Sequence, residues 1–173
     1  MTAGDLTQSA IAFVQQHPGW SFPIVFMLAF CESFAFISLI VPATAILVGV
    51  GGLIAAAGLD IRPVWAAATL GAIAGDWAAY DLAFRFRGRI TRMWPFSSHT
   101  ELIASGIRFF ERWGLAAVFV GRFFGPFRAV LPIVAGLNAM PWLKFQLANF
   151  ASALLWATGI LTPGFLGVRW LFG

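Results

Sequence analysis

Four ionisable side chains stand where the surrounding residues are almost wholly apolar: Glu32, Asp76, Arg122 and Arg128. A charge at the centre of a bilayer costs between roughly 2.5 and more than 10 kcal/mol, depending on how far water and snorkelling relieve it. Charges kept at that cost point to ion, proton or headgroup chemistry. Arg122 and Arg128 lie six positions apart with Gly125-Pro126 between them, so no continuous helix joins them. On an unbroken helix they would point about 120° apart. A break lets both guanidinium groups converge on one point, where they can hold a phosphate bidentately while freed backbone N–H groups add donors. Glu32 is the natural counter-charge for either arginine, and a carboxylate so placed can be displaced by an incoming phosphate or carry a proton. Asp76 and Tyr80, four residues apart, share one helical face and form a candidate proton or structural site.

Other chemistries find little support. The single Cys31 excludes an internal disulfide and a cysteine-based metal site. His17 and His99 stand 82 positions apart and outside any metal-spacing pattern. Neither falls in an apolar segment, which removes the nucleophile and base that a lipid phosphatase requires. No metal, no cofactor, no nucleic acid and no enzymatic activity is expected.

The elements that position the four charges follow from composition. Of 173 residues 60% are hydrophobic and 10% charged, with 19 Phe and 8 Trp. Soluble domains are about 45–50% apolar and about 25% charged, so the expected solvent is lipid and the chain is read as a single integral membrane domain, 1–173. Residues 3–16 carry apolar positions at helical spacing and are expected to form a short amphipathic helix; no basic residue precedes Arg62, so a secretory signal is not expected. Residues 21–59 contain one charge, Glu32. As one helix they would measure about 58 Å, twice the hydrocarbon thickness, so Pro42 and the glycines after it predict a hairpin. Its tip either stays inside the membrane or closes two full spans.

Residues 63–84 are predicted to span. Residues 85–112 hold Arg85, Arg87, Arg89, Arg92, Arg108 and Arg112 against Glu101 and Glu111, and by the positive-inside rule this loop faces the cytoplasm. Residues 113–140, with their internal Gly and Pro, predict a second broken hairpin, and 142–161 a last span ended by Thr162-Pro163-Gly164. Glu32 precedes Pro42 by ten positions and Arg122 precedes Pro132 by ten, while Pro63 and Pro141 each open a span. The fold expected is an all-α polytopic membrane protein with two re-entrant hairpins plus transmembrane helices in an inverted repeat.

These residues carry a resemblance. Glu32-Ser33-Phe34 through Leu39-Ile40-Val41-Pro42-Ala43-Thr44, Gly75-Asp76 with Tyr80, and Gly121-Arg122-Phe123-Phe124-Gly125-Pro126-Phe127-Arg128 followed by Pro132 and Ala135-Gly136 resemble the DedA family of bacterial inner-membrane proteins over residues 20–165. The resemblance implies re-entrant hairpins, lipid movement across the membrane with undecaprenyl phosphate as the substrate assigned to some members, and dependence on the proton-motive force. Carried over by position, Glu32, Arg122 and Arg128 are functional residues. Many members place Pro-Gly and an acid after the first break; here the triplet is Pro42-Ala43-Thr44, which makes Thr44 the counterpart of that acid and resembles a subgroup with Thr there. The partners expected are a polyprenyl phosphate or phospholipid headgroup, protons and a second copy of the chain. The alternative is a proton-coupled ion or small-solute transporter using Glu32 and Asp76.

Overall fold

The computed structural model describes residues 8, 12, 15–34, 43–86, 89, 100–124 and 127–172. Among these the chain is helical throughout, with a 3-10 turn at Pro18–Trp20 and seven α-helices. They are α1 Ser21–Ser33, α2 Ala43–Ala56, α3 Arg62–Phe86, α4 Thr100–Trp113, α5 Leu115–Gly121, α6 Phe127–Leu137 and α7 Trp142–Phe172.

Local chemistry sets several boundaries. Past the end of α2, Gly58 takes φ +68, which closes a turn in which Leu59 N–H donates to Ile54 O and Gly58 N–H to Ala55 O. Asp60 Oδ1 then accepts from Arg62 N–H at 3.0 Å, capping α3, and Pro63 sits in the first turn where its missing N–H costs nothing. Gly114, at φ +51, separates α4 from α5. Ala139 also has φ +51 in the turn between α6 and α7. That turn is held from outside: Tyr80 Oη donates to Met140 O at 2.5 Å, and its ring stacks on Phe145 with centroids 4.3 Å apart.

The long helices α3 and α7 form the scaffold. α1 and α6 pack on α3, while α2 and α5 pack on α7, and α3 touches α7 directly. Each broken segment therefore sends one arm to each long helix. The contact surfaces are made of small residues, which bring backbones together where no hydrophobic effect drives helices in lipid. A Cβ on Gly71 would stand 2.3 Å from Phe26 O of α1, and one on Gly164 2.1 Å from Val48 O of α2. One buried cluster joins α1, α2, α3 and α7 around Val25, Leu47, Ala68 and Leu161. A second joins α3, α4 and α6 around Ala79, Ile103 and Val130, and a third gathers Tyr80, Val118, Ala135 and Phe145. The outer surface is apolar, with Met27, Trp77, Leu147, Phe150 and Leu155 all exposed.

Several expectations change. The last span does not stop at 161: α7 continues through Pro163 to Phe172, because the close seating of Gly164 on α2 holds the helix across the proline. Its Trp142–Trp170 stretch is, among the described residues, the one helix both long and apolar enough to cross a membrane. Half of the basic segment 85–112 is not loop but helix α4, which lays Ile103 and Gly106 against α6 and turns Arg108, Glu111 and Arg112 outward. Only isolated residues of the expected helix 3–16 are described, and Gln8, Ala12, Gln15 and Gln16 are helical. Pro42, Gly125 and Pro126 lie outside the described residues, as does the side chain of Thr44.

Two predictions test the packing. Gly71→Ala should destabilise the chain by about 1–3 kcal/mol, the usual cost of overpacking, measured by unfolding in detergent. Gly159→Ala, whose added Cβ meets nothing within 4 Å at an exposed mid-helix position, serves as the control and should be at least as stable as the parent, by up to about 1 kcal/mol. Ala139→Gly should stabilise by about 1 kcal/mol by relieving a left-handed residue.

Candidate functional site

The polar site occupies the layer between the apolar clusters. On α3 the residues up to Ala72 serve the first cluster and those from Ala79 serve the second, which leaves Asp76 between them. On α7 Ala148 belongs to one cluster and Ala153 to another, and Asn149 and Ser152 fall in the gap, both fully buried. Helix breaks deliver the remaining groups. Glu32 and Ser33 end α1, Arg122 follows α5 at the start of two tight turns, and Arg128 is the second residue of α6.

All four charges are inside. Glu32 is 4% exposed, Asp76 4%, Arg122 5% and Arg128 8%, values that place the charges as deep as the apolar core around them. They form two ion pairs. Arg128 Nη1 donates to Glu32 Oε1 at 2.6 Å and its Nη2 to Ser33 Oγ at 3.2 Å. Its guanidinium carbon also lies 4.3 Å from the centroid of the Trp156 ring, a cation–π contact that a compact ammonium would make less well. Arg122 Nη2 donates both to Asp76 Oδ2 and, at 2.7 Å, to Asn149 Oδ1. Asp76 stands within electrostatic reach of both arginines. Buried ion pairs survive in a low dielectric only when their geometry and extra hydrogen bonds offset desolvation, and Ser33, Asn149 and Trp156 supply those contacts.

The pairing is incomplete in an informative way. Among the described residues Arg122 Nη1, Arg128 Nε and Asp76 Oδ1 are buried with no hydrogen-bond partner. An orphaned buried donor forfeits about 1–3 kcal/mol or more when charged. Two such donors, one on each arginine, are groups that an anion would satisfy. Helix polarity adds to this. Arg128 sits at the positive end of α6 and Glu32 at the negative end of α1, the unfavourable end for each, so each depends on the other. An anion beside Arg128 would be favoured by both the guanidinium and the first-turn N–H groups of α6.

The structure thus brings together Glu32, Asp76, Arg122 and Arg128, and it settles two questions that spacing leaves open. Glu32 partners Arg128 and not Arg122. The two guanidinium groups do not share one carboxylate; Arg122 takes Asp76, which makes Asp76 a full member of the site. Tyr80 is not a member: its hydroxyl is spent on Met140 O, so its work is structural. Phe123 and Phe124 are exposed, and Phe127 stacks on Phe109 at 5.5 Å. Spacing did not single out Ser33, Asn149 and Trp156. Asn149 left a signal, since an amide within a membrane-depth helix must find partners or be penalised. Trp156 left none, because nothing in a linear sequence separates a cation's platform from a lipid-facing indole. Among the described residues no group of three or more His, Cys, Asp or Glu could hold a metal ion.

Comparison with known proteins places this geometry. The family model of the VTT domain matches residues 41–166, well over half of the chain. The inner membrane protein YabI of Escherichia coli (strain K12) is 34% identical over 155 residues, which cover 89% of this chain and 61% of YabI. The inner membrane protein YghB of the same strain is 29% identical over 144 residues, covering 82% of this chain and 65% of YghB. An uncharacterized membrane protein of Buchnera aphidicola subsp. Acyrthosiphon pisum is 26% identical over 153 residues, covering 88% and 60%. The chain spans about three-fifths of the length of these curated relatives. No solved structure matches it. The domain match, together with described residues that are helical throughout, bury four charged side chains and expose large apolar ones, establishes that the chain belongs to the VTT-domain, or DedA, family of membrane proteins.

Proposed function

We propose that this chain translocates a lipid with a phosphate headgroup, such as undecaprenyl phosphate or a phospholipid, across a bacterial inner membrane. The observation that carries the reading is the pair of buried arginines, each already matched to a carboxylate and each holding a further donor with no partner among the described residues. A phosphate offers several acceptor oxygens and matches the guanidinium fork. It competes with Asp76 for Arg122 and with Glu32 for Arg128. Displacing Glu32 unties α1 from α6, and displacing Asp76 unties the α5 break from α3. Headgroup binding thereby loosens the links that hold the broken segments to the scaffold, and the acyl or isoprenoid tail stays in the bilayer throughout.

Element lengths support re-entrant hairpins. At 1.5 Å per residue α1, α2, α5 and α6 rise about 20, 21, 10 and 16 Å, short of the roughly 30 Å hydrocarbon thickness. The exchange of arms between α3 and α7 is the packing expected of an inverted repeat. The names of the Escherichia coli relatives support an inner-membrane location. The positive-inside rule then assigns segment 85–112, with α4 at the interface, to the cytoplasmic side.

The test is a liposome assay with labelled polyprenyl phosphate in one leaflet, run beside inorganic phosphate as a competitor to separate headgroup-only from whole-lipid recognition. Arg122→Ala and Arg128→Ala should abolish binding and flipping. Arg128→Lys keeps the charge but loses the fork to Glu32 and Ser33 and the stacking on Trp156, so flipping should fall about tenfold or more. Glu32→Gln removes the competing carboxylate, so the anion should bind about tenfold more tightly and leave more slowly. Protein that ignores the lipid while an internal dye reports proton flux would overturn the proposal in favour of a proton-coupled solute path through Glu32 and Asp76.

A further inference from the structure

We infer that Asn149 is a positioning residue that keeps Arg122 aimed at the anion after Asp76 has given way. The inference rests on the phosphate-carrying reading above and goes beyond it to a residue of α7. Asp76 Oδ2 and Asn149 Oδ1 accept from the same nitrogen, Arg122 Nη2, yet the two acceptors differ in kind. The carboxylate competes with a phosphate for the positive charge. The amide is neutral, so it holds the guanidinium without lowering the potential that attracts the anion.

The orientation of the amide is fixed independently of Asp76. Asn149 Nδ2 donates to Ile73 O at 3.1 Å and to Gln146 Oε1 at 3.2 Å, which commits the nitrogen and leaves Oδ1 for Arg122. Ile73 lies on the turn of α3 that also carries Asp76, so α7 is stitched to the site through backbone and not through the ion pair. Arg122 itself stands just past the end of the seven-residue α5, within two successive turns, and its Nη2 is held by side chains of other helices, Asp76 and Asn149. Once a phosphate replaces Asp76, the Asn149 contact is the remaining bond holding Nη2. With Nη2 held, Nη1, which among the described residues has no hydrogen-bond partner, stays available to the anion. Asn149 is fully buried, so water does not offer Arg122 an equivalent acceptor.

The test is a charge exchange read by binding of radiolabelled farnesyl monophosphate to the chain in lipid nanodiscs, with inorganic phosphate as competitor. Asn149→Asp keeps the shape of the side chain but gives Arg122 a second carboxylate, and affinity should fall about tenfold. Combining Asn149→Asp with Asp76→Asn restores one carboxylate and one amide around the same nitrogen while the donors to Ile73 O and Gln146 Oε1 stay lost, so affinity should recover in part, by about threefold over the single Asn149→Asp variant. Asn149→Ser, a neutral change that shortens the side chain away from Arg122 and gives up its bonds to Ile73 and Gln146, should lower the thermal midpoint and weaken binding about tenfold at a temperature where the variant is still folded, and it serves if the aspartate variant does not fold. Unchanged affinity in Asn149→Asp or in Asn149→Ser overturns the inference, as does a loss that the exchange does not relieve, which is the signature of packing alone. If the parent chain binds no farnesyl monophosphate, the phosphate-carrying reading falls first and takes the inference with it.

Discussion

Two guanidinium groups held in an apolar interior by two carboxylates are the constraint on which the rest of the structure depends. Breaking such a pair leaves an uncompensated buried charge, a loss of about 3–5 kcal/mol in a protein interior. Each pair therefore acts as a tie between segments distant in sequence: Glu32 to Arg128 spans 96 residues and Asp76 to Arg122 spans 46. The ties join the ends of short helices, α1 to α6 and the α5 break to α3, and these ends carry exposed backbone groups that most need polar company. Without the pairs the broken segments would have no reason to meet at one depth.

The scaffold is built to bring those ends together. Small residues on α3 and α7 let α1 and α2 approach until backbone nearly meets backbone, as at Gly71 against Phe26 O and Gly164 against Val48 O. Close approach replaces the hydrophobic drive that lipid does not supply. It also explains the continuity of α7 across Pro163, since the neighbouring helix stabilises what local propensity would end. The apolar clusters on either side of the polar layer then shut it off from lipid, which strengthens every charge interaction within it and penalises every donor left over.

Much of this was legible in the residues. Charges stand out against an apolar background, so Glu32, Asp76, Arg122 and Arg128 could be named without a structure. The boundary at Asp60-Ile61-Arg62-Pro63 was readable for a local reason, because capping and proline chemistry act within one turn. Tyr80, by its spacing from Asp76, left a proton role and a structural role both open. Four residues from Asp76 on one helix, it shares a face with the site, yet its hydroxyl is claimed by Met140 O, sixty positions away. Helix α4 was hidden inside a segment read only by its charge, because its apolar stripe acquires meaning from α6, against which it lies.

The sequence by itself determined that the solvent is lipid, that the chain folds as helices, and that a few charges must be kept together inside. Those are consequences of composition and local sterics, whereas Pro132 and Pro163, read as breaks, lie within α6 and α7. Only the tertiary structure decided which carboxylate takes which arginine, that Asp76 belongs with Arg122, and that Ser33, Asn149 and Trp156 complete the site. The reason is one of range: solvation preference and helix breaking act on neighbours along the chain, whereas ion pairing and amide orientation depend on distances of a few ångströms between segments that only packing brings together.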